Sequence, residues 1–174
     1  MRFVVCACLA LCGLPVLAHP LPDVPVRARF SVDGRAVIQV EVDPRCFEAD
    51  PLNTPYLLKR ELDRMSQTER QELEGRAAAL ITETLRFHFE PTVRTPEFEY
   101  SFTTHGGKPL DVDADVPVMV MAQWTFELSA DTSGYRVEAL PTGRLSVLFL
   151  NVKNGVEERK HVLFPGETSY RLDL

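Results

Sequence analysis

Hydrophobic and polar residues alternate along most of the chain from residue 26 onward. Val26, Ala28 and Phe30 alternate with polar residues, and the same period of two resumes after Asp33-Gly34. This period is typical of strands with one buried face, and Asp-Gly is a favoured hairpin turn. Further strand segments are predicted at 85–89, 98–102, 116–128, 134–140, 144–152, 157–164 and 169–174. The pattern predicts a mainly β fold, an antiparallel immunoglobulin-like β-sandwich.

The period changes to that of a helix between about residues 55 and 84. Thr54-Pro55 has the chemistry of a helix start, and Ser66 followed by Glu69 forms a capping box. Apolar residues then recur at helical spacing, at Leu73, Ala77, Leu80, Ile81 and Leu85. We therefore expect a helical insertion of one bent helix or two helices.

The N-terminus has the pattern of a secretory signal. Arg2 precedes an apolar run over residues 3–17, and small side chains lie where signal peptidase cleaves after Ala18. We expect a signal peptide over 1–18, one domain over 19–174, and a periplasmic or extracellular location. No later segment has about 18 consecutive apolar residues, so no membrane span is expected after cleavage.

The charge and the cysteines narrow the classes of partner and chemistry. The net charge of −6 argues against nucleic acid as a partner. Three of the four cysteines lie in the signal segment, which leaves Cys46 without a partner for an internal disulfide. Cys46 is either a buried small hydrophobe, which its neighbour Phe47 favours, or a reactive thiol.

The strongest candidate for metal chemistry is His19. Cleavage after Ala18 would give this residue an α-amino group and an imidazole that can chelate one copper ion together, as half of a histidine brace. A second imidazole would come from His88, His105 or His161, and the turn position of His105 and the polar strand face of His88 favour those two. The layout resembles that of lytic polysaccharide monooxygenases and periplasmic copper carriers. The predicted metal ligands are therefore His19, His105 and His88, with copper as the alternative to having no cofactor.

A calcium loop is the weaker metal hypothesis. Asp111, Asp113 and Asp115 have the spacing of its first ligands. Val116 stands where the loop requires glycine, and Ala122 stands where it requires glutamate. An acidic surface connection is the favoured interpretation.

Aromatic residues on the predicted strands allow two interpretations. Tyr100, Trp124, Phe126 and Tyr135 would line a sugar-binding surface or pack in the core, and alternation along strands favours the core. The sequence shows no Gly-x-Ser-x-Gly elbow, phosphate loop, HExxH helix or CxxC pair. No catalytic residues are therefore predicted.

The order of parts resembles small exported bacterial domains of unknown function. From the start at Ala18-His19-Pro20 to the segment 163–167, it is similar in layout to the extracytoplasmic N-terminal region of HupE/UreJ-type membrane proteins. That resemblance implies a link to nickel or other metal handling, and it supplies no site residues. We expect an exported, non-enzymatic binding or accessory module with a protein partner, for which a membrane transporter is the candidate. The alternative is a periplasmic copper-binding protein that uses His19.

Overall fold

The protein is a two-sheet β-sandwich with a helical insertion, as the sequence predicts. The computed structural model describes residues 23–110 and 115–174. The strands are β1 Val24–Phe30, β2 Arg35–Val42, β3 Leu85–Glu90, β4 Thr92–Val93, β5 Glu99–Thr103, β6 Met119–Glu127, β7 Gly134–Ala139, β8 Val147–Lys153, β9 Val156–Glu157, β10 His161–Leu163 and β11 Leu172–Asp173. The helices are α1 Lys59–Leu62 and α2 Gln67–Thr84, and Pro44–Phe47 forms a 3₁₀ turn. None of the helices in these described ranges is long and apolar enough to cross a membrane.

The larger sheet has the strand order β10-β8-β1-β2-β6-β5, with β9 also pairing with β8. The smaller sheet has the order β11-β7-β3-β4. One strand pair differs from the predicted antiparallel arrangement. Strands β1 and β8 are parallel, with Val24 opposite Val147. The pairing starts at the first residue of β1, where the Val24 amide donates to the carbonyl of Ser146, the residue before β8, at 2.8 Å.

The core lies between the two sheets and is rich in aromatic side chains. Phe89 of β3 is fully buried, and its ring centre lies 5.8 Å from that of Trp124 and 5.1 Å from those of Phe126 and Tyr135. Tyr100 and Phe126 are partly buried against this cluster. The prediction that these aromatic residues belong to the core is confirmed. Each fully buried side chain of this kind contributes about 1.5–3 kcal/mol to folding.

The first hairpin forms where the sequence predicts it. Gly34 in the turn has φ +84°, a conformation that glycine adopts without the strain of a Cβ atom. Val26, Ala28 and Phe30 are buried, as their period indicates. Val32 continues the same period but is 87% exposed, because it lies beyond the end of β1.

The helical insertion consists of two helices, and the capping box at the second is confirmed. The Ser66 hydroxyl accepts from the Glu69 amide at 3.3 Å, and the Glu69 carboxylate accepts from the Ser66 amide at 2.7 Å. Ala77 and Ile81 bury the inner face of α2 against the sandwich.

The predicted helix start at Thr54-Pro55 is wrong. The Val118 amide donates to the Leu57 carbonyl at 2.8 Å, and the Lys59 amide donates to the Val116 carbonyl at 3.0 Å. These bonds hold the segment after Pro55 extended, so the first helix begins only at Lys59. Pairing with a distant segment has overridden a local start signal.

The strands after β8 are shorter than predicted. The segment 157–164 contains the end of β9 and the separate strand β10 instead of one continuous strand. The Glu158 amide, which donates to the Asn151 carbonyl at 2.8 Å, is the last bond in the β8–β9 register. The last strand is confined to Leu172–Asp173.

Candidate functional site

A groove runs over the outer face of the larger sheet, on the side away from the core. The strand register places Pro25 of β1 opposite Leu148 of β8, and Glu41 of β2 opposite Met121 of β6. The next row of outward positions contains Arg27, Gln39 and Leu150. Since alternate residues of a strand face opposite sides, these side chains share the outer face.

The groove consists of two adjoining hollows of about 210 and 370 Å³. Both are lined by Pro25, Glu41, His105 and Leu148, and we call the pair the outer groove. The first hollow continues to Arg27, Gln39, Gly106, Met121, Leu150 and Lys160. The second continues to Asp23, Asp43, Arg45, Tyr56, Pro117 and Met119. The outer groove therefore combines an apolar floor with polar groups at its centre and ends.

Glu41 lies at the centre of the outer groove and is 6% exposed, although it is on the outer face of its sheet. One carboxylate oxygen accepts from the Gly106 amide and the other contacts His105 Nδ1, both at 2.7 Å. A buried carboxylate requires such partners, because its desolvation is costly when they are absent. The two contacts fix the β5–β6 turn onto the sheet.

The turn that Glu41 holds is also closed by its own backbone. The Thr104 amide donates to the Lys108 carbonyl at 2.9 Å, and the Gly107 amide donates to the Thr104 carbonyl at 3.1 Å. Gly106 and Gly107 have φ of +78° and +73°. The predicted glycine turn after His105 is confirmed, and it brings the imidazole to the groove.

A second acidic residue closes one end of the outer groove. The Asp43 carboxylate caps the 3₁₀ turn by accepting from the Arg45 amide at 2.9 Å, and it pairs with the Arg45 guanidinium at 2.6 Å. The guanidinium lies 3.5 Å from the centre of the Tyr56 ring, in a cation–π contact. The hydrogen bond to Asp43 raises the pKa of Arg45. The hydrogen bonds, ion pair and cation–π contact among these three side chains hold them in place as one wall of the outer groove.

The opposite end of the outer groove is cationic. Arg27 and Lys160 both line it, and no carboxylate of the described residues forms an ion pair with either. Arg29, two positions along β1, donates to the Gln39 side chain at 2.8 Å. Burial, followed by the charge of Arg27, lowers the pKa of Arg29. Arg27 and Lys160 thus line the first hollow as unpaired cations, beside a Glu41 carboxylate that is already bound by the Gly106 amide.

The structure separates the predicted histidine ligands. His105 lines the outer groove, with 79% of its side chain exposed and with Nδ1 on Glu41. His88 lies on the outward face of β3 in the smaller sheet, where Nε2 contacts Glu138 at 2.8 Å. The two imidazoles therefore lie on opposite outer faces of the sandwich and cannot share one ion.

The remaining metal candidates lie at a sheet edge, in an ion pair or outside the described residues. His161 is exposed on the edge strand β10, and His19 lies outside the described residues. Asp111 and Asp113 of the hypothetical calcium loop are also outside them, and Asp115 pairs with Arg60. Across 23–110 and 115–174, no group of three or more histidine, cysteine, aspartate or glutamate side chains is arranged to hold a metal.

Cys46 is buried, as its preferred interpretation predicts. Its side chain is 1% exposed in the core cluster, and burial raises the pKa of the thiol to about 12. Only the thiolate is a good nucleophile, so a thiol with this pKa is chemically inert near neutral pH.

Comparison with known proteins gives no family for this chain. No protein-family model matches it, and no curated protein matches it. Its function must therefore be argued from the outer groove itself.

The sequence alone singled out His105 but missed the rest of the outer groove. Glu41, Arg27 and Gln39 occupy ordinary polar positions of alternating strands, where a charged residue usually faces solvent. Lys160 lies in a run of acidic and basic residues, so its charge does not distinguish it from its neighbours in the sequence. One weak signal was available, because Glu41 stands between the valines of a strand that ends directly in Asp43.

Proposed function

We propose that the protein is an exported, non-enzymatic binding module whose ligand site is the outer groove. The observation that carries the proposal is the buried Glu41 carboxylate, which holds the His105–Gly106 turn against the sheet at 2.7 Å. A site fixed in this way keeps its shape before the ligand arrives, which lowers the entropic cost of binding. A membrane transporter is the candidate partner, in keeping with the HupE/UreJ resemblance.

The lining of the outer groove supports binding. Ligand sites are usually concave and mostly apolar, with a few placed polar groups that orient the ligand. Pro25, Leu148 and Met121 supply apolar surface here, while Glu41 and Arg27 supply polar groups at fixed register positions. The sandwich carries the groove on strands, which position side chains more precisely than loops.

A groove-filling variant tests this function. Phage-displayed random peptides of eight residues are selected for binding to the exported protein. The affinity of each selected peptide is then measured for the wild type and for Leu150→Trp, whose larger side chain fills the first hollow. We expect binding to fall at least tenfold in Leu150→Trp and to be unchanged in Arg86→Trp. The control places the same side chain on the outward face of β3, in the smaller sheet. Equal binding to Leu150→Trp and the wild type would contradict the proposal.

A copper-binding function is the second candidate, and the position of Asp23 favours it. Asp23 lines the same hollow as His105 and follows His19 by four residues. Four extended residues reach about 14 Å, so an N-terminus processed before His19 would have His105 within range. His88, on the other face, would not.

The surroundings of His105 also suit a metal ligand. Histidines that bind metals usually donate their second ring N–H to a carboxylate, which fixes the ring and its tautomer. His105 Nδ1 lies 2.7 Å from a Glu41 carboxylate oxygen, close enough for this relation, and Nε2 has no partner in the described ranges. Copper would thus be held by His105 Nε2 together with the two nitrogens of His19.

Titration with Cu(II) tests the copper candidate on protein whose N-terminus has been verified as His19. We expect His19→Ala and His105→Ala each to weaken binding at least tenfold, measured by calorimetry and by the electron paramagnetic resonance spectrum. His88→Ala is the matched control and should leave both unchanged. Binding that is insensitive to His105→Ala would eliminate this arrangement.

A further inference from the structure

We propose that the ligand of the outer groove is an extended acidic peptide segment of a partner protein, with a carboxylate bound at Arg27 and Lys160. This inference rests on the proposed binding function and names the class of ligand. Its three supports are the length of the outer groove, the distribution of charge along it and the spacing of its apolar floor.

The outer groove follows the direction of β1. Its lining runs from Arg27 in the first hollow to Asp23 in the second. A strand rises about 3.3 Å per residue, so this distance is roughly 13 Å and matches four residues of an extended peptide. A compact ligand would leave most of this length empty.

The charge differs between the two ends. Arg27 and Lys160 lie at one end without an ion-pair partner in the described residues, and Arg29 adds positive charge nearby. The other end contains Asp23 and the Asp43–Arg45 pair. An anionic group is attracted to the unpaired cations of the first end, whereas at the second end Arg45 is already paired with Asp43 and Asp23 is acidic. The bound segment therefore has its carboxylate at one end only.

A peptide fits this charge better than a nucleic acid does. A phosphate backbone carries one negative charge per nucleotide and requires several cations along its path. The outer groove has its unpaired cations at one end, since Arg45 at the other end is paired with Asp43, and the whole chain has a net charge of −6. One or two carboxylates match this supply of positive charge.

The floor of the outer groove sets the spacing within the peptide. Pro25 is two residues from Arg27 on the same face of β1, and Leu148 lies beside Pro25. In an extended peptide, side chains two residues apart also face the same side, about 7 Å apart. A carboxylate at Arg27 thus places the next side chain on that face over Pro25 and Leu148. For a peptide that runs antiparallel to β1, the motif is an acidic residue, any residue and then an apolar residue.

Three synthetic peptides test this preference. They share the sequence Gly-Ser-X-Ser-Leu-Ser-Gly, where X is glutamate, glutamine or lysine, and they are titrated into isotopically labelled exported protein. We expect the glutamate peptide to bind most tightly, with NMR shifts at Arg27, Gln39 and Leu150, and to weaken as salt is added. Arg27→Gln and Lys160→Gln should each weaken it about two- to fivefold, as for partly exposed ion pairs.

Arg86→Gln is the matched control, because it removes one positive charge from the outward face of the smaller sheet. It should leave the affinity unchanged. Lys160 is exposed, so its substitution tests the site even where Arg27→Gln disturbs the sheet.

The alternative outcomes separate the two proposals. Tighter binding of the glutamine or lysine peptide in the outer groove would overturn the acidic class and leave the binding function standing. Undiminished binding of the glutamate peptide to both cation variants would overturn the assignment of its carboxylate. If no peptide shifts the outer-groove resonances but phage-selected peptides do, the acidic class fails alone, and if neither does, both proposals fail.

Discussion

Replacement of Glu41 by alanine should loosen the outer groove before it unfolds the protein. The carboxylate makes two contacts of 2.7 Å, to the Gly106 amide and to His105 Nδ1. Hydrogen bonds to charged groups contribute about 1.5–3 kcal/mol each. That value applies to the Gly106 amide alone, because the His105 contact is a short distance to a side chain that is 79% exposed and adds little. The lost carboxylate also no longer has to be desolvated, so we expect a net loss of about 1–2 kcal/mol.

Two measurements check this expectation. Denaturant unfolding should show the loss in the free energy of unfolding, and hydrogen exchange should show the Gly106 amide exchanging about tenfold faster, as 1.4 kcal/mol of easier local opening requires. Glu99→Ala is the control, because Glu99 is exposed on the neighbouring β5, and it should change stability by less than about 0.5 kcal/mol. Unchanged protection of Gly106 in Glu41→Ala would refute the role assigned to the carboxylate.

Four further predictions concern the core. Native Cys46 should react with a thiol reagent at pH 8 only as fast as the protein unfolds, since burial raises its pKa to about 12; rapid stoichiometric labelling would contradict this. The pKa of the Cys46 thiol is higher in the folded protein than in the unfolded protein, so the contribution of the thiol to stability is complete below about pH 9 and is lost as the pH rises towards 12. Comparing the unfolding of Cys46→Ala and the wild type across this pH range isolates that contribution. The Tyr135 hydroxyl is buried without a hydrogen-bond partner in the described structure, so Tyr135→Phe should leave the free energy of unfolding unchanged or raise it by up to about 1 kcal/mol. A clear decrease in that free energy, measured by denaturant unfolding, would mean that the hydroxyl forms a hydrogen bond. Phe89→Ala should cost about 3–5 kcal/mol and alter the fluorescence of Trp124, which its ring contacts; a loss below 1 kcal/mol would mean that the core refills the space.

Local patterns predicted most of the fold because they depend on near neighbours. The hairpin turn at Gly34 and the capping box at Ser66 are each formed by residues a few positions apart, and both are present. The extended segment after Pro55 and the parallel pairing of β1 with β8 depend on partners far along the chain. A local start signal cannot report such partners, which is why the first helix was placed too early.

The candidate site was less predictable than the fold. His105 was identified from its place in a glycine turn, but nothing in the sequence placed Glu41 beneath it. The sequence favours His88 as a metal ligand as much as His105, but in the structure His88 lies on the opposite face, in contact with Glu138. The groove depends on which strands lie side by side in the larger sheet. The alternation of polar and apolar residues identifies a strand but does not tell which strands are its neighbours.

The parallel pair also fixes when the outer groove comes into existence. The hydrogen-bonded side chains of Asp23 and Ser146 are 123 residues apart, and the contact joins the two strands that form one side of the groove. Contacts of this sequence separation form late, because the intervening chain must be closed into a loop first. The early hairpin of β1 and β2 therefore presents Glu41 and Arg27 without the facing wall of Leu148 and Leu150. Under the proposed binding function, only a chain that has completed this long-range closure would recognise a ligand, so binding at this face would report a completely folded protein.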